Sequence, residues 1–254
     1  MADCVNIQWK NGFGNQLFQY SYGRILSEQM ECSLTYSGTV DRWEGTSLVD
    51  IGFITEDDIL NYTDENIKVN IDYNKVQAVE LENPQNYKPY LDEIRSWFPK
   101  VEITNTEDLL VHVRVGDNGP NIYTPFQWYK KAIEDNNIEF NKIYLVTDTP
   151  DDKTIEQFKS YYNTELVSSV KVTTISDRKG YKNDILKDFN FIRKFDNILM
   201  SNSTFPWWAA LLSGATEVWF NKEWQPNHYN GMIKLGETNY ENWNGIIPFS
   251  LKEN

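Results

Sequence analysis

Leu109-Leu110-Val111-His112-Val113-Arg114-Val115-Gly116-Asp117 reads as a buried strand that runs straight into a charged turn. The apolar run from Leu109 to Val113 is too short for a helix, and it stops at a cation, a glycine and a carboxylate. An arginine directly after a buried strand stands at the carboxyl edge of a sheet, which is where open α/β sheets take their ligands. The stretch therefore predicts an α/β sheet with Arg114 on its binding edge.

The same grammar repeats toward the C-terminus. Thr124-Pro125-Phe126-Gln127 has a hydroxyl for the N-cap, proline at the first helical position and glutamine at the third, which predicts a helix to about Asn136. Ile143 to Val146 reads as a strand ending at Thr147-Asp148, and Thr149-Pro150-Asp151-Asp152 caps the next helix. Val170 to Thr174 reads as a further strand, Ile185, Phe189 and Ile192 as a helix face, and Ile198 to Met200 as a strand. Phe205 to Leu212 is a helix closed by Gly214, and Val218 to Phe220 is the last strand. Strands alternating with helices predict a parallel, doubly wound sheet with right-handed crossovers.

Toward the N-terminus, Val5-Asn6-Ile7-Gln8-Trp9 alternates as a strand, and Lys10 to Gly14 forms a turn. A helix from Asn15 to Met30 follows, with Phe18, Tyr22, Ile25 and Leu26 on one face. Strand, glycine turn and helix open a βα unit. Residues 38–105 have weak periodicity; they suggest a loop over 83–89 and a short helix from Tyr90 to Phe98 closed by Pro99. The expected fold is α/β with two Rossmann-like domains, residues 1–105 and 106–254.

Composition narrows the function. The chain has 254 residues, 40% hydrophobic and 24% charged, which suits a folded globular protein. Its net charge of −13 opposes nucleic acid and anionic lipid as partners, since both need clustered Lys and Arg. One phosphate group can still be held by backbone amides and a single arginine. No apolar stretch reaches the roughly 18 residues that would cross a bilayer. Met1-Ala2-Asp3-Cys4 lacks the basic and apolar parts of a leader, so a cytoplasmic location is expected. Cys4 and Cys32 are too few for a disulfide framework and read as small buried residues.

Several chemistries are absent from the sequence. There is no Gly-Lys pair for a Walker A loop and no Gly-x-Ser-x-Gly elbow. The third glycine of a dinucleotide fingerprint would fall on Leu17, which removes the NAD signature. His112 and His228 alone cannot make a histidine-rich zinc site, and no Asp-x-Asp occurs, so a metal-free mechanism is expected.

The positive candidates sit after the strands. Gly14 and Asn15 open a helix whose dipole favours a phosphate or a departing oxyanion, although a tight turn alone would also explain the glycines. Arg114 has the planar fork for phosphate, or it pairs with Asp117 to close its own turn. Ser203 and Thr204 begin a helix and serve as a cap, an anion site or both. His112 lies within the strand as a core histidine, and Trp207 and Trp208 read as core or as a sugar platform.

Together these segments resemble glycosyltransferase family 11, the α-1,2-fucosyltransferases. Asn11-Gly12-Phe13-Gly14-Asn15-Gln16-Leu17-Phe18-Gln19-Tyr20 is similar to the family's G-G-x-G-N-Q-x-F-Q-Y start, and His112 to Asp117 to its H-x-R-R-G-D motif. Val146-Thr147-Asp148 resembles its F-S-D segment, and Asp188-Phe189 through Asn202-Ser203-Thr204-Phe205-Pro206-Trp207-Trp208 its D-x-x-L-M to N-S-S-F-S-W-W stretch.

The resemblance implies a GT-B fold, two Rossmann-like domains facing across a cleft. It also implies a GDP-fucose co-substrate, a glycan acceptor and inversion without metal. By matching position, Arg114 would hold the donor β-phosphate, with Gly14 and Asn15 approaching from the first domain and Ser203 and Thr204 from the helix start. Asp148 joins this donor-binding set, Asp188 would read the base, and His112 would touch the nucleotide through its backbone. Asp117 is the candidate general base, with a structural carboxylate as the alternative. The family's second arginine is Val115 here, and its following tyrosine is Asn118. A GDP- or UDP-linked sugar such as rhamnose is therefore the alternative donor, and a non-catalytic nucleotide-sugar or glycan-binding protein the alternative class. No oligomeric state follows from the sequence.

Overall fold

Among the described residues there are ten strands and six α-helices with defined bounds, and the chain divides into two units, Met1–Pro99 and Lys100–Asn254. The computed structural model describes residues 3–37, 47–55, 59–61, 66–72, 81, 83–115, 124–168, 182–222 and 238–246.

In the first unit, β1 (Asp3–Gln8) leads through Gly12 into α1 (Phe13–Gln29), followed by β2 (Ser33–Ser37), β3 (Leu60–Asn61), β4 (Asn66–Asp72) and a short α2 (Leu91–Ser96). All pairings are parallel, in the order β3-β2-β1-β4. The small side of α1 that meets the sheet is Gly23. A Cβ there would lie 3.1 Å from the Cδ1 methyls of Ile7, Leu34 and Ile71, tighter than ordinary contact, so those methyls would have to shift by a few tenths of an ångström to admit one. Burial on α1 is not the single face expected. Phe18 and Ile25 are buried but Tyr22 and Leu26 are only half-buried, whereas Leu17 and Tyr20 are fully covered. The cause is a second layer on the helix: Tyr87 packs on Phe18, and Trp97 and Phe98 pack on Tyr20.

The second unit carries β5 (Asn105–Val113), α3 (Phe126–Asp135), β6 (Ile143–Thr147), α4 (Lys153–Tyr161), β7 (Thr164–Leu166), α5 (Lys182–Ile192), β8 (Phe195–Leu199), α6 (Thr204–Ser213), β9 (Glu217–Asn221) and β10 (Trp243–Ile246). The six strands are all parallel, in the order β10-β9-β8-β5-β6-β7. Counted from β5 as the first strand, this is the 3-2-1-4-5-6 order of a dinucleotide-binding sheet. The core on one face joins Leu109, Val111 and Val113 of β5 to Phe126, Tyr129 and Ile133 of α3 and Ile155 and Phe158 of α4.

Several local expectations change. Val218 to Phe220 is not in the last strand, because β10 pairs beyond it with Trp243 opposite Val218. Thr124 does not cap α3: Pro125 holds the extended N-cap position, and the Thr124 hydroxyl is buried without a hydrogen-bond partner. At α4 the cap is Asp152, whose carboxylate accepts from Thr154 N at 2.8 Å. Gly214 closes α6 at φ 74°, a left-handed conformation that suits glycine. Trp207 and Trp208 are fully buried, which settles them as core. Cys4 is buried, Cys32 only partly so, and neither is in a disulfide. The strand expected at Val170 to Thr174 lies outside the described residues.

Candidate functional site

A sheet in this order has a switch point between its first and fourth strands, where the chain leaves one strand toward one face and the next toward the other. Here those strands are β5 and β8, paired directly with Val111 opposite Leu199. The residues leaving their carboxyl ends are Arg114-Val115 and Met200 to Thr204. Arg114, Ser203 and Thr204 thus come to one crevice edge by topology.

Arg114 is held in place by a carboxylate from the adjoining strand. Its Nη1 lies 2.7 Å from Asp148 Oδ2, and both side chains are largely covered. Asp148 Oδ1 accepts from Val115 N at 3.2 Å and from the Thr149 hydroxyl at 3.2 Å. One carboxylate therefore holds both the guanidinium and the peptide that follows it, a charge-assisted arrangement. Arg114 pairs with Asp148, a partner that the sequence did not suggest; Asp117, the partner weighed there, lies outside the described residues, as do Gly116 and His228.

Val115 packs against the core on the α3 and α4 side. Alternate residues leaving a strand point to opposite faces, so Arg114 and Val115 part company: one goes to the crevice and the other to the core.

His112 is buried within β5. Its Nδ1 lies 2.8 Å from the Ser201 hydroxyl. Its carbonyl accepts from Ser201 N at 3.1 Å and from the Tyr129 hydroxyl at 3.2 Å, which uses both lone pairs. Burial lowers the imidazole pKa to about 3; the nearby Asp148 charge raises it and Arg114 lowers it again. His112 is accordingly neutral at physiological pH.

Across the crevice, α6 begins with Ser203 as N-cap, its hydroxyl accepting from Phe205 N at 3.4 Å and its own N–H donating to Ser201 O at 2.8 Å. An α-helix leaves its first amides without an acceptor one turn back, so this end is suited to an anion. The ring of Phe205 packs against His112 (5.9 Å) and against Phe189 (5.3 Å). Asp188, buried beside Phe189, lies on the helix that packs at the start of α6.

Gly14 and Asn15 belong to the first unit, in the opening turn of α1. Two buried glutamines shape that turn. Gln19 accepts from Lys10 N at 3.0 Å and donates to Lys10 O at 2.8 Å, and Gln16 donates to Asn11 O at 3.2 Å. Asn11 adopts φ 62°, a conformation that asparagine tolerates better than most residues. Gln16 and Gln19 stand in the N-terminal motif and Ser201 in the polar run after β8, but the sequence assigned no role to them or to Tyr129.

Among the described residues no three His, Cys, Asp or Glu side chains group as metal ligands would, and no helix is long and apolar enough to cross a membrane.

Residues 167–247 match the sequence model of glycosyl transferase family 11. No curated protein matches the chain in sequence. A crystal structure of NodZ α-1,6-fucosyltransferase soaked with GDP-fucose aligns with a TM-score of 0.50 at 12% identity, covering 89% of this chain and 97% of that one. Fucosyltransferase NodZ from Bradyrhizobium gives 0.45 at 12% identity over 85% and 95% of the two chains. The iron-containing dodecameric glycosyltransferase TibC from enterotoxigenic E. coli H10407 gives 0.49 at 10% over 96% and 62%. Two parallel sheets and the likeness to NodZ give the chain a GT-B fold, and residues 167–247, the segment that carries Asp188 and Ser203, are similar to glycosyl transferase family 11.

Proposed function

We propose that the protein transfers a deoxyhexose, fucose from GDP-fucose, to a hydroxyl of a glycan acceptor, with inversion and without a metal, in the cytoplasm. The observation that carries this reading is Arg114 at the β5/β8 switch point, fixed by Asp148 beside the N-terminus of α6. In the reaction the acceptor oxygen forms a bond to the anomeric carbon as the bond from that carbon to the β-phosphate oxygen breaks. The electron pair leaves with GDP, and the acceptor proton passes to a base. Arg114 and the first amides of α6 take up the growing charge on the diphosphate, the step at which such donors act most strongly. Asp188 reads the base, and within the first unit Gly14 and Asn15 offer a further helix start suited to an anion.

Val115 supports a second donor. The position of the family's second arginine is spent on the core, so the donor meets one cation fewer there, and a GDP- or UDP-linked sugar such as rhamnose fits the same frame.

Thermal unfolding in the presence of GDP, UDP, GDP-fucose, GDP-rhamnose and UDP-sugars tests both. A ligand at a hundred times its Kd stabilises by about 2.7 kcal/mol, a shift of several degrees. The reading expects GDP and GDP-fucose to give the largest shifts; a UDP-sugar winning would transfer the assignment to the second donor class, and no shift from any of them would end both.

A further inference from the structure

Two buried side chains at the switch point have no part in the chemistry just described. His112 is the penultimate residue of β5, Ser201 follows β8, and their side chains meet at 2.8 Å. They are 4% and 1% exposed. The backbone repeats the link, Ser201 N donating to His112 O, and the Tyr129 hydroxyl anchors the same carbonyl from α3. Arg114 lies two residues after His112, and Ser203, the cap of α6, lies two residues after Ser201; Ser203 N returns to Ser201 O.

We infer that His112 and Ser201 are a positioning pair, whose side-chain bond holds the turn bearing Arg114 at a fixed distance from the N-terminus of α6. This rests on the proposal that the crevice takes a nucleoside diphosphate. The buried side-chain bond sets the span between the cation and the helix amides that must grip one diphosphate together. Strand pairing ends at Val111 and Leu199, so beyond that point the span depends on these added links. A misplacement of a fraction of an ångström between two anchors weakens binding and charge stabilisation together.

The test is GDP binding by calorimetry on the full chain, for wild type, Ser201→Ala and Ser201→Thr, beside donor kinetics and ligand-free melting. Ser201→Ala removes the hydroxyl and leaves a buried imidazole nitrogen unpaired; its GDP Kd is expected to rise about tenfold, with kcat falling as well. Ser201→Thr keeps the hydroxyl and is expected to restore affinity to within about threefold, whatever its melting temperature. If Ser201→Ala melts lower but binds GDP as wild type does, the pair is purely structural and the inference fails. Equal weakening in Ser201→Thr and Ser201→Ala would overturn it too. If wild type binds no GDP, the diphosphate reading itself is lost, which the wild-type arm shows alone.

Discussion

Acidification should destabilise this protein through a single imidazole. His112 ordinarily would titrate at 6.5, and burial lowers that to about 3. The unfolded chain takes up the proton near 6.5 while the folded chain refuses it until about 3, so the unfolded state binds more protons across that window. Stability therefore falls as pH falls. Each pH unit below 6.5 costs about 1.4 kcal/mol, and moving from pH 7 to pH 5 costs about 2 kcal/mol at this one site. His112→Asn keeps a polar partner within reach of Ser201 but cannot titrate. Urea unfolding of wild type and variant at pH 7 and pH 5 gives the difference directly, and the variant should lack that loss. The chain has 2 histidines, so His228→Gln leaves one ring signal for NMR. A folded-state His112 resonance that titrates near 6.5, or identical pH dependence in wild type and His112→Asn, would refute the reasoning.

Other perturbations separate the cation from its surroundings. Arg114→Ala should lower transfer by about 10²-fold or more, and Arg114→Lys should recover little, because an ammonium cannot bridge Asp148 and a phosphate with a planar fork; single-turnover rates decide this. Val115→Arg, which recreates the family's motif, should not tighten GDP binding and should destabilise by about 1–3 kcal/mol, since position 115 faces the core; calorimetry and melting read the two effects. Gly23→Ala should cost about 1–3 kcal/mol in urea unfolding, as its methyl would press on three side-chain methyls at 3.1 Å.

The legible part of the fold was the part with local causes. Leu109 to Val113, the Asp148 strand end and the Ser203 helix start could be placed from periodicity and cap residues, and these are the pieces that meet at the switch point. The strand order that brings β5 and β8 together is a long-range property that no local pattern encodes. The same limit hid Asp148 as a partner of Arg114, since that ion pair crosses from the end of β5 to the end of β6. Within residues 38–105, β3 spans only Leu60–Asn61, too short to leave a periodic pattern; earlier in the chain, α1 is covered from two sides, which blurs its amphipathic stripe. β10 was missed because Trp243-Asn244-Gly245-Ile246 contains a glycine and little alternation, and its strand form comes from pairing with β9.

Gln19 completes the turn before α1 by presenting an amide to both the N–H and the C=O of Lys10, so a side chain does there what a neighbouring peptide does in a sheet. Such a mimic needs a donor and an acceptor on one planar group. Glutamate has almost the same shape but only oxygens, and it would set a negative charge against the Lys10 carbonyl. The opening of α1 is thus sensitive to the exchange of one nitrogen for one oxygen, so deamidation at position 19 would alter it without any change in the size of the side chain.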